Sequence, residues 1–208
     1  MSQNVVPHSY FLKENVVALA KELLGKRVVT VIDGERVSGI INETEAYAGV
    51  IDKASHAYGN RRTKRTEIMY KQGGHIYVYL CYGIHSLLNI VTNRRDIPHA
   101  ILIRSIVPDF GLNTMCDRRG ILNLKNIANG PGKVAQALGI LPQHTGLLLG
   151  EKKEHEIIWI EEGISVDDKL IEATPRIGID YAEEDKHRPW RFVIPASEIH
   201  KKIEAHEN

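Results

Sequence analysis

Cysteine, long apolar runs and an excess of one charge are all missing from this sequence. Only 2 cysteines occur in 208 residues, Cys81 and Cys116, without a Cys-x-x-Cys pair, so neither a disulfide framework nor a cysteine zinc knuckle is supported. No apolar leader follows the first methionine, and no apolar run approaches the roughly 20 residues that a membrane-spanning helix requires. We therefore expect a protein of the reduced cytoplasm with no membrane partner.

The charges balance, with 27 Lys and Arg residues against 26 Asp and Glu residues and a net charge of +1. This balance excludes a uniformly basic coat, so any nucleic-acid partner has to bind a local patch. One such patch lies in "RRTKRTEIMYK", where a single acidic residue, Glu67, accompanies these basic ones: Arg61, Arg62, Lys64, Arg65 and Lys71.

Familiar catalytic signatures are missing as well. There is no His-Glu-x-x-His helix and no Gly-x-Ser-x-Gly elbow, and Cys81 lies in an apolar strand pattern that is typical of a small buried hydrophobe. Residues 130–133 do not match the Gly-x-x-x-x-Gly-Lys loop, so we expect Lys133 and the helix start there to contribute a phosphate-backbone contact only. A metal site remains an open alternative because five side chains could be ligands: Glu43, Glu45, Asp52, His56 and His75.

Apolar spacing predicts the first elements of structure. Residues 12–25 carry apolar side chains at helical spacing and end at a glycine, which predicts one amphipathic helix. The next run, "KRVVTVIDGERVSGIINETEAY", predicts a strand, an Asp-Gly turn and a second strand. Because side chains alternate across a strand, Glu43, Glu45 and Tyr47 should share one face, opposite Thr44.

A second hairpin is predicted in "HIYVYLCYGIHSLLNIVTN", where two β-rich runs flank a short turn. With residues 83–85 as the loop, Tyr82 would face Ser86, and Tyr79 would face Asn89 on the same side of the sheet. A hairpin tip of this kind has the shape of a wedge between base pairs.

Later segments complete the predicted core. "HAILIRSIVP" predicts a strand whose apolar run is interrupted by Arg104, a charge that needs a partner or a function. Helices are expected near residues 112–116 and over residues 131–138, directly before Gly139, and short strands in "EIIWIEE", "KLIEAT" and "RFVIP". The tail after Ser197 is expected to be solvated.

Acid–base chemistry is favoured over metal and nucleophile chemistry. A carboxylate at a strand end beside aromatic rings can serve as a general base, although alternation does not choose between Glu43 and Glu45. Tyrosines on strands are often packing residues, but rings beside cations also suit nucleic acid, because cations hold phosphates and rings stack on bases. Half of the 8 tyrosines flank the basic patch: Tyr47, Tyr77, Tyr79 and Tyr82.

Five segments follow one another along the chain: "ETEAY", "ASHAYG", "YVYLCYG", "LLNI" and "AILIRS". In their order and approximate spacing they resemble the alkyladenine (3-methyladenine) DNA glycosylase family. "GPGKVAQALGI" and "PRIGI" extend the resemblance over residues 11–192. It implies a hydrolase of base excision repair that flips alkylated or deaminated purines (3-methyladenine, hypoxanthine, ethenoadenine) out of damaged double-stranded DNA. It also implies cleavage of the N-glycosidic bond by a Glu-activated water, an abasic product, no lyase activity, no metal and no cofactor.

The resemblance gives roles to individual residues. Glu45 matches the general base, and Arg104 matches the arginine that helps to hold the attacking water. The base pocket, with rings on either side of the purine and an amide that disfavours normal guanine, is matched by Tyr47, His56, Tyr79 and Asn89.

Further matches concern the DNA strand. Tyr82 matches the tyrosine that enters the minor groove and fills the gap left by the flipped nucleotide, and Arg61 and Thr63 match backbone contacts. There are two departures nearby: "TNRRDIPHA" is longer than in the mammalian members, and His85 interrupts a run that is more apolar in the family. They bear on backbone contacts and on the shape of the wedge.

We expect one α+β domain over residues 1–208, with its core at residues 11–195 and short flexible termini. The expected architecture is a curved, mainly antiparallel sheet with a protruding β-hairpin and surrounding helices. The protein should be a monomer and, in a bacterium, associated with the nucleoid. Two other interpretations stay open: a non-catalytic nucleic-acid-binding domain, since the fold resembles the carboxy-terminal domain of methionyl-tRNA formyltransferases, and a metal-dependent nuclease that uses Glu43, Glu45 and Asp52.

Overall fold

Strand pairing organises the chain around one eight-stranded sheet. The computed structural model describes residues 5–122, 126–150 and 157–207, and the strands belong to these ranges. They are β1 Arg27–Ile32, β2 Glu35–Tyr47, β3 Ile76–Cys81, β4 His85–Thr92, β5 His99–Phe110, β6 Ile158–Glu161, β7 Glu172–Thr174 and β8 Arg191–Val193.

Every pairing in the sheet is antiparallel. The main order is β3-β4-β5-β2-β1-β6, while β8 pairs with both β2 and β7. The register between the two longest strands, β2 and β5, shifts on either side of Glu43, and such a β-bulge bends a sheet. The predicted α+β fold with a curved antiparallel sheet is confirmed.

Helices pack against this sheet, and within the described ranges none is long and apolar enough to cross a membrane. The α-helices are α1 Val16–Glu22, α2 Leu112–Arg119, α3 Pro131–Leu138 and α4 Ala196–Glu207. Short 3-10 helices lie in the connections: His8–Leu12, Gly49–Ile51, Tyr58–Asn60, Glu67–Tyr70, Pro142–His144, Asp168–Leu170 and Asp180–His187.

The two faces of the sheet differ because side chains alternate along each strand. On one face, Thr44 donates a hydrogen bond to the Ala20 carbonyl oxygen of α1 at 2.8 Å, within the hydrophobic core. On the other face, Glu43 and Glu45 both contact Arg104. The predicted separation of Thr44 from these carboxylates is confirmed, and the sheet has one core face and one polar face.

The register of the β3–β4 hairpin differs from the predicted one. Asn89 pairs with Tyr77 rather than with Tyr79, and Tyr82 lies in the turn and does not face Ser86. Both predicted pairs are therefore wrong, by two positions. A shift of two leaves every side chain on its predicted face of the sheet, because strand alternation has a period of two.

The turn of this hairpin occupies residues 82–84, one position before the predicted loop of residues 83–85. His85 therefore begins β4 instead of ending the loop. The first two residues of this turn have a positive φ, 52° for Tyr82 and 73° for Gly83. Glycine adopts this left-handed conformation freely, whereas a bulky residue rarely does, so the turn holds the tyrosine at the apex under local strain.

Helix boundaries follow the sequence patterns in part. α1 is shorter than the predicted residues 12–25 because Asn15 caps its start, accepting a hydrogen bond from the Ala18 amide at 3.0 Å. α3 has the predicted bounds, with Gly139 in the left-handed conformation (φ 74°) directly after it. Strand β7 covers only part of "KLIEAT", and the first residue of "EIIWIEE" lies outside the described residues.

The prediction of a solvated C-terminal tail is wrong. The tail forms α4, whose Ile199 is fully buried and whose Ile203 packs against the main core. The two isoleucines are four positions apart and so lie on one side of the helix. Two apolar side chains in an otherwise polar segment are enough to dock this helix on the sheet.

Replacing Ile199 with Ala should lower the free energy of unfolding by about 2–4 kcal/mol, because the substitution leaves a cavity in the core. Urea unfolding at equilibrium measures this loss. His200→Ala is the matched control, since it adds the same helix-favouring residue at the adjacent exposed position and should change stability by less than about 0.5 kcal/mol. Equal effects of the two substitutions would show that α4 is not docked.

Candidate active site

A cavity of about 510 Å³ opens on the polar face of the sheet. Strands β2 to β5 supply its floor, and the connections that follow β2 and β7 supply its sides. It is lined largely by aromatic and polar side chains, with Tyr47, His56, Arg65, Tyr77, Tyr79, Tyr82, Asn89, Arg104, Ile177 and Tyr181 among them. A mainly apolar cleft with a few convergent polar groups is the usual form of a small-ligand site.

One row of paired residues crosses the sheet under this cavity. Tyr77 of β3 pairs with Asn89 of β4, Asn89 pairs with Leu102 of β5, and Leu102 pairs with Glu45 of β2. Directly opposed residues on neighbouring strands point to the same face. The register therefore places a tyrosine, an amide and a carboxylate in line, although 32 positions separate Glu45 from Tyr77 in the sequence.

Glu45 has no solvent-exposed surface and lies directly behind the cavity lining, because its contacts Tyr47, Arg104 and Ile177 all line the cavity. Its Oε1 accepts a hydrogen bond from the Ile177 amide at 2.8 Å and lies 3.3 Å from Arg104 Nη1, and its Oε2 accepts from the Tyr47 hydroxyl at 2.7 Å. An ionised carboxylate has about four acceptor positions, so about one remains, on Oε2. The contacts thus satisfy a buried charge and leave one position for a further donor.

Arg104 connects two carboxylates. Its Nε donates to Glu43 Oε1 at 2.9 Å, and Arg191 donates to the same oxygen at 2.6 Å. Burial lowers the pKa of the Arg104 guanidinium, but the charges of Glu45 and Glu43 outweigh burial and raise its pKa above the ordinary value. The expectation that this charge in an apolar strand has a partner or a function is met by two acidic partners. Arg104 is therefore a fixed cation beside Glu45.

The β-bulge aims Arg104 at both carboxylates. Glu43 pairs with Ser105 and Thr44 pairs with Ile103, so the register skips Arg104. A bulged residue is freed from regular pairing and its side chain can be redirected, which is why bulges are frequent beside active sites. Here the redirected side chain reaches two acidic residues of the neighbouring strand.

Tyr47 closes one side of the carboxylate. Burial, and then the charge of Glu45, raise the pKa of the Tyr47 hydroxyl well above its usual value. The hydroxyl therefore stays protonated and donates to Glu45. The guanidinium of Arg176 lies 4.8 Å from the centroid of the Tyr47 ring, a cation–π contact that fixes the ring position.

A fully buried ion pair between Arg176 and Asp52 stabilises the residues around Glu45. Arg176 Nη1 donates to Asp52 Oδ2 at 2.6 Å, Nη2 donates to Asp52 Oδ1 at 2.8 Å, and Nη1 also donates to the Ala46 carbonyl at 2.8 Å. Such a two-pronged contact fixes both partners geometrically. It ties the connection after β2 to the segment that carries Ile177, and so positions the amide that binds Glu45.

The metal alternative has no geometric support in the part of the chain that the structure describes. Within it, no group of three His, Cys, Asp or Glu residues is placed to hold a metal ion. Glu43, Glu45 and Asp52 each contact an arginine, and His75 Nδ1 contacts the Gln72 carbonyl at 2.7 Å. These carboxylates are thus already satisfied by cationic side chains.

A second group of aromatic side chains lines the cavity. The His56 ring meets the Tyr79 ring edge-on, with centroids 4.6 Å apart, and its Nδ1 lies 2.9 Å from the Tyr77 hydroxyl. The Tyr77 and Tyr79 centroids are 5.4 Å apart. Arg65 donates from Nη2 to His56 Nε2 at 2.9 Å and from Nε to the Tyr77 hydroxyl at 3.2 Å.

The imidazole of His56 is neutral at neutral pH. Burial, reinforced by the charges of Arg65 and Arg61, lowers its pKa to about 4. Arg65 Nη2 lies within hydrogen-bond distance of both ring nitrogens, 2.9 Å from Nε2 and 3.2 Å from Nδ1, and a guanidinium can only donate. The wall of the cavity therefore includes an uncharged ring that faces a guanidinium.

Asn89 is held rigidly in the floor. Its Nδ2 donates to the Tyr77 and Leu87 carbonyl oxygens, each at 3.2 Å, and the residue is buried. Two bonds from one nitrogen fix the plane of the amide. The predicted pocket residues Tyr47, His56 and Asn89 thus line the same cavity as Tyr79, despite the corrected register.

Tyr82 stands at the rim of the cavity, on the apex of the hairpin. Its side chain is 90% exposed, and its neighbour Ile84 is 74% exposed. Large apolar groups that project into solvent from a strained turn have no packing role in the chain itself. The apex therefore has the form of a binding element.

The three predicted backbone-contact residues lie outside the cavity lining. Arg61 and Thr63 are exposed on the connection between β2 and β3. Lys133 lies in the first turn of α3, two residues after Pro131, which does line the cavity. The structure thus gathers the predicted pocket residues closely and leaves these three around it.

Sequence reasoning missed several residues of the site. Arg65 was distinguishable only as one member of the basic patch, and Asp52 only as a potential metal ligand. Arg176 and Ile177 lie in "PRIGI", a segment that contributed to the family resemblance but in which no residue was assigned a function. The Ile177 contact is made by a backbone amide, for which no side-chain signature exists.

Comparisons with known proteins are consistent with one another. A family model described as Methylpurine-DNA glycosylase matches residues 10–198. A protein of Chlamydia felis is 48% identical over 192 residues, covering 91% of this chain and 96% of that protein. A protein of Bacillus cytotoxicus is 44% identical over 189 residues, covering 88% and 92%. Both relatives are named "Putative 3-methyladenine DNA glycosylase".

The depressed pKa of His56 predicts a loss of stability in mild acid. Above the ordinary pKa of 6.5 the ring is neutral in both states, and as the pH falls toward about 4 only the unfolded chain takes up the proton. Urea unfolding should therefore show a decrease of about 1–2 kcal/mol from this residue between about pH 7 and pH 5.

His56→Gln is the matched variant, because its neutral amide does not titrate over this range. The stability difference between the two pH values should be smaller in the variant by that amount. A difference unchanged by the substitution would show that His56 titrates normally.

Proposed function

This chain belongs to the methylpurine-DNA glycosylase family, and from its cavity we propose the substrate, the residues and the course of its reaction. The protein takes alkylated or deaminated purines, such as 3-methyladenine, hypoxanthine and ethenoadenine, out of double-stranded DNA. It hydrolyses their N-glycosidic bond and leaves an abasic site. The observation that carries this proposal is the buried carboxylate of Glu45 beneath a cavity walled by aromatic rings.

Access to the glycosidic bond requires the base to leave the helix. Flipping costs a few kcal/mol in lost stacking and pairing, and it costs least for damaged or mismatched bases. Tyr82, projecting from the apex of the hairpin, would enter the gap left in the minor groove. Its ring stacks on the neighbouring bases and offsets part of the cost of flipping.

The flipped purine would be held between rings in the cavity. Tyr47 would lie on one side of the base, and His56 and Tyr79, whose rings meet edge-on, would lie on the other. Stacking of this kind is worth roughly 1–3 kcal/mol per base. Asn89, whose amide plane is fixed by two hydrogen bonds, would disfavour the exocyclic amine of normal guanine.

Glu45 would act as the general base. As the bond between the sugar C1′ and the purine nitrogen breaks, the base leaves with the electron pair and the sugar gains oxocarbenium character. A water oxygen then forms the new bond to C1′ and passes a proton to Glu45, through the acceptor position left on Oε2. The carboxylate charge also stabilises the cationic sugar, so one group serves both needs.

Arg104 and Tyr47 would keep that carboxylate in place. Arg104 provides a fixed positive charge at 3.3 Å from Oε1, and Tyr47 donates to Oε2 at 2.7 Å. Arg104 is in addition the residue that we propose helps to hold the attacking water. Glu43 would act through Arg104, which it binds, rather than on the substrate.

The proposed enzyme is monofunctional. Cleavage of the strand by a lyase would need an amine nucleophile near C1′. The groups that contact Glu45 are a tyrosine hydroxyl, a guanidinium and a backbone amide, from Tyr47, Arg104 and Ile177. Outside the cavity, the exposed Arg61 and Thr63 and the half-buried Lys133 would hold the phosphate backbone.

Glu45→Gln should lower the single-turnover rate of base release by about 10²–10⁴-fold, because the amide cannot accept the proton from water. The measurement uses a duplex with one hypoxanthine and counts abasic sites. Glu43→Gln is the matched control, since it removes an equal charge two residues away and should cost much less. Binding of lesion duplex by Glu45→Gln should be retained.

Normal base release by Glu45→Gln would contradict the assigned role. Tight binding of undamaged DNA or RNA with no release from any lesion would instead favour the non-catalytic nucleic-acid-binding domain. Strand cleavage that is abolished by EDTA would favour the metal-dependent nuclease.

Tyr82→Ala should slow release from duplex DNA about 10–100-fold, which corresponds to the loss of one stacking contact. The same lesion in a single strand has no gap to fill, so its release should change less than about threefold, and the ratio of the two rates is the measurement. Equal losses on both substrates would show that the tyrosine does not act as a wedge.

A further inference from the structure

Arg65 is the arginine of the cavity lining that has no carboxylate partner among the described residues. Arg104 contacts Glu43 and Glu45, whereas the groups that Arg65 contacts are uncharged. Even Arg62, three positions earlier and outside the lining, forms ion pairs with two acidic side chains. Arg65 is solvent-exposed, and among the described residues its positive charge forms no ion pair with an acidic side chain.

The contacts of Arg65 hold this charge against the aromatic wall. Its guanidinium donates to His56 and to the Tyr77 hydroxyl, and its central carbon lies 5.1 Å from the centroid of the Tyr79 ring. Hydrogen bonds to two side chains and one cation–π contact fix the direction of an otherwise flexible side chain. His56 stays uncharged beside it, because burial and the charges of Arg65 and Arg61 lower the pKa of its imidazole to about 4.

We infer that Arg65 is a specificity-determining residue, whose unpaired charge makes the cavity favour neutral purine lesions over cationic ones. This inference rests on the proposed function and deepens it. Hypoxanthine and ethenoadenine are neutral in the nucleotide, whereas 7-methylguanine and 3-methyladenine carry a positive charge until the glycosidic bond breaks. Damaged purines thus fall into two classes that differ in charge, and the proposed substrates include members of both, with 3-methyladenine in the cationic class.

Two physical effects act in the same direction. Like charges repel, and because Arg65 is solvent-exposed this repulsion is screened by salt and is largest at low ionic strength. A cationic base would also gain from the electron-rich face of Tyr79, but that ring already faces the guanidinium, which weakens its attraction for a second cation. A neutral base experiences neither the charge repulsion nor the weakened cation–π attraction.

The test compares two lesions in one duplex sequence. Single-turnover release of hypoxanthine and of 7-methylguanine is measured at about pH 6 and low salt, where His56, with a pKa of about 4, is still neutral. The quantity of interest is the ratio of the two rates. Effects common to both lesions, including folding, DNA affinity and the guanine amine, cancel when the ratio of a variant is divided by that of the wild type.

Arg65→Gln removes the charge and keeps a donor for His56. It should lower the ratio of hypoxanthine to 7-methylguanine release about tenfold, which corresponds to about 1.4 kcal/mol. Arg65→Lys keeps the charge and should stay within about threefold of the wild-type ratio. Arg62→Gln is the matched control for net charge and should leave the ratio unchanged.

Three results would overturn the inference: an unchanged ratio in Arg65→Gln, an equal change in Arg65→Lys, or an equal change in Arg62→Gln. In each of these cases release itself persists, so the proposed function stands. Absence of hypoxanthine release by the wild-type protein would overturn the proposed function, and the inference with it. If the wild type releases hypoxanthine alone, release of 7-methylguanine by Arg65→Gln supports the inference and its absence overturns it.

Discussion

The position of β5 between β2 and β4 is the constraint on which the site depends. Leu102 pairs with Glu45 on one side and with Asn89 on the other, and Asn89 pairs in turn with Tyr77. A slip of one residue in either pairing would turn one partner toward the helical core. The core face resists such a slip, because its strands alternate with apolar residues that pack against α1 and α3.

Burial of charge is the second constraint, and cationic partners make it tolerable. A carboxylate without exposed surface is costly unless it is paired and hydrogen-bonded. Arg104 supplies this pairing for Glu45, and Arg176 supplies it for Asp52. The same contacts fix the geometry of the cavity, because Arg176 directly precedes Ile177, whose amide donates a hydrogen bond to Glu45. Arg65 is the exception, an arginine of the wall with uncharged partners.

Much of the site could be predicted from particular residues in the chain. The alternation of "ETEAY" placed Glu45 and Tyr47 on one face, and the interruption of an apolar strand by Arg104 required a buried partner. The register of the β3–β4 hairpin could not be predicted, because a shift of two residues satisfies the same alternation. Asn89 reached the cavity in either register, whereas its partner changed from Tyr79 to Tyr77.

By itself, the sequence determined the local elements, the family and the chemical types of the pocket residues, because periodicity, turn residues and side-chain chemistry are properties of short segments. Only the tertiary structure decided which of them meet. Arg176 contacts Asp52, 124 positions away, and the Ile177 amide contacts Glu45, 132 positions away. Arg65 meets His56, only 9 positions away, because of how the connection between β2 and β3 packs. Such contacts follow from strand register and loop packing, which depend on the whole core and leave no mark in either segment alone.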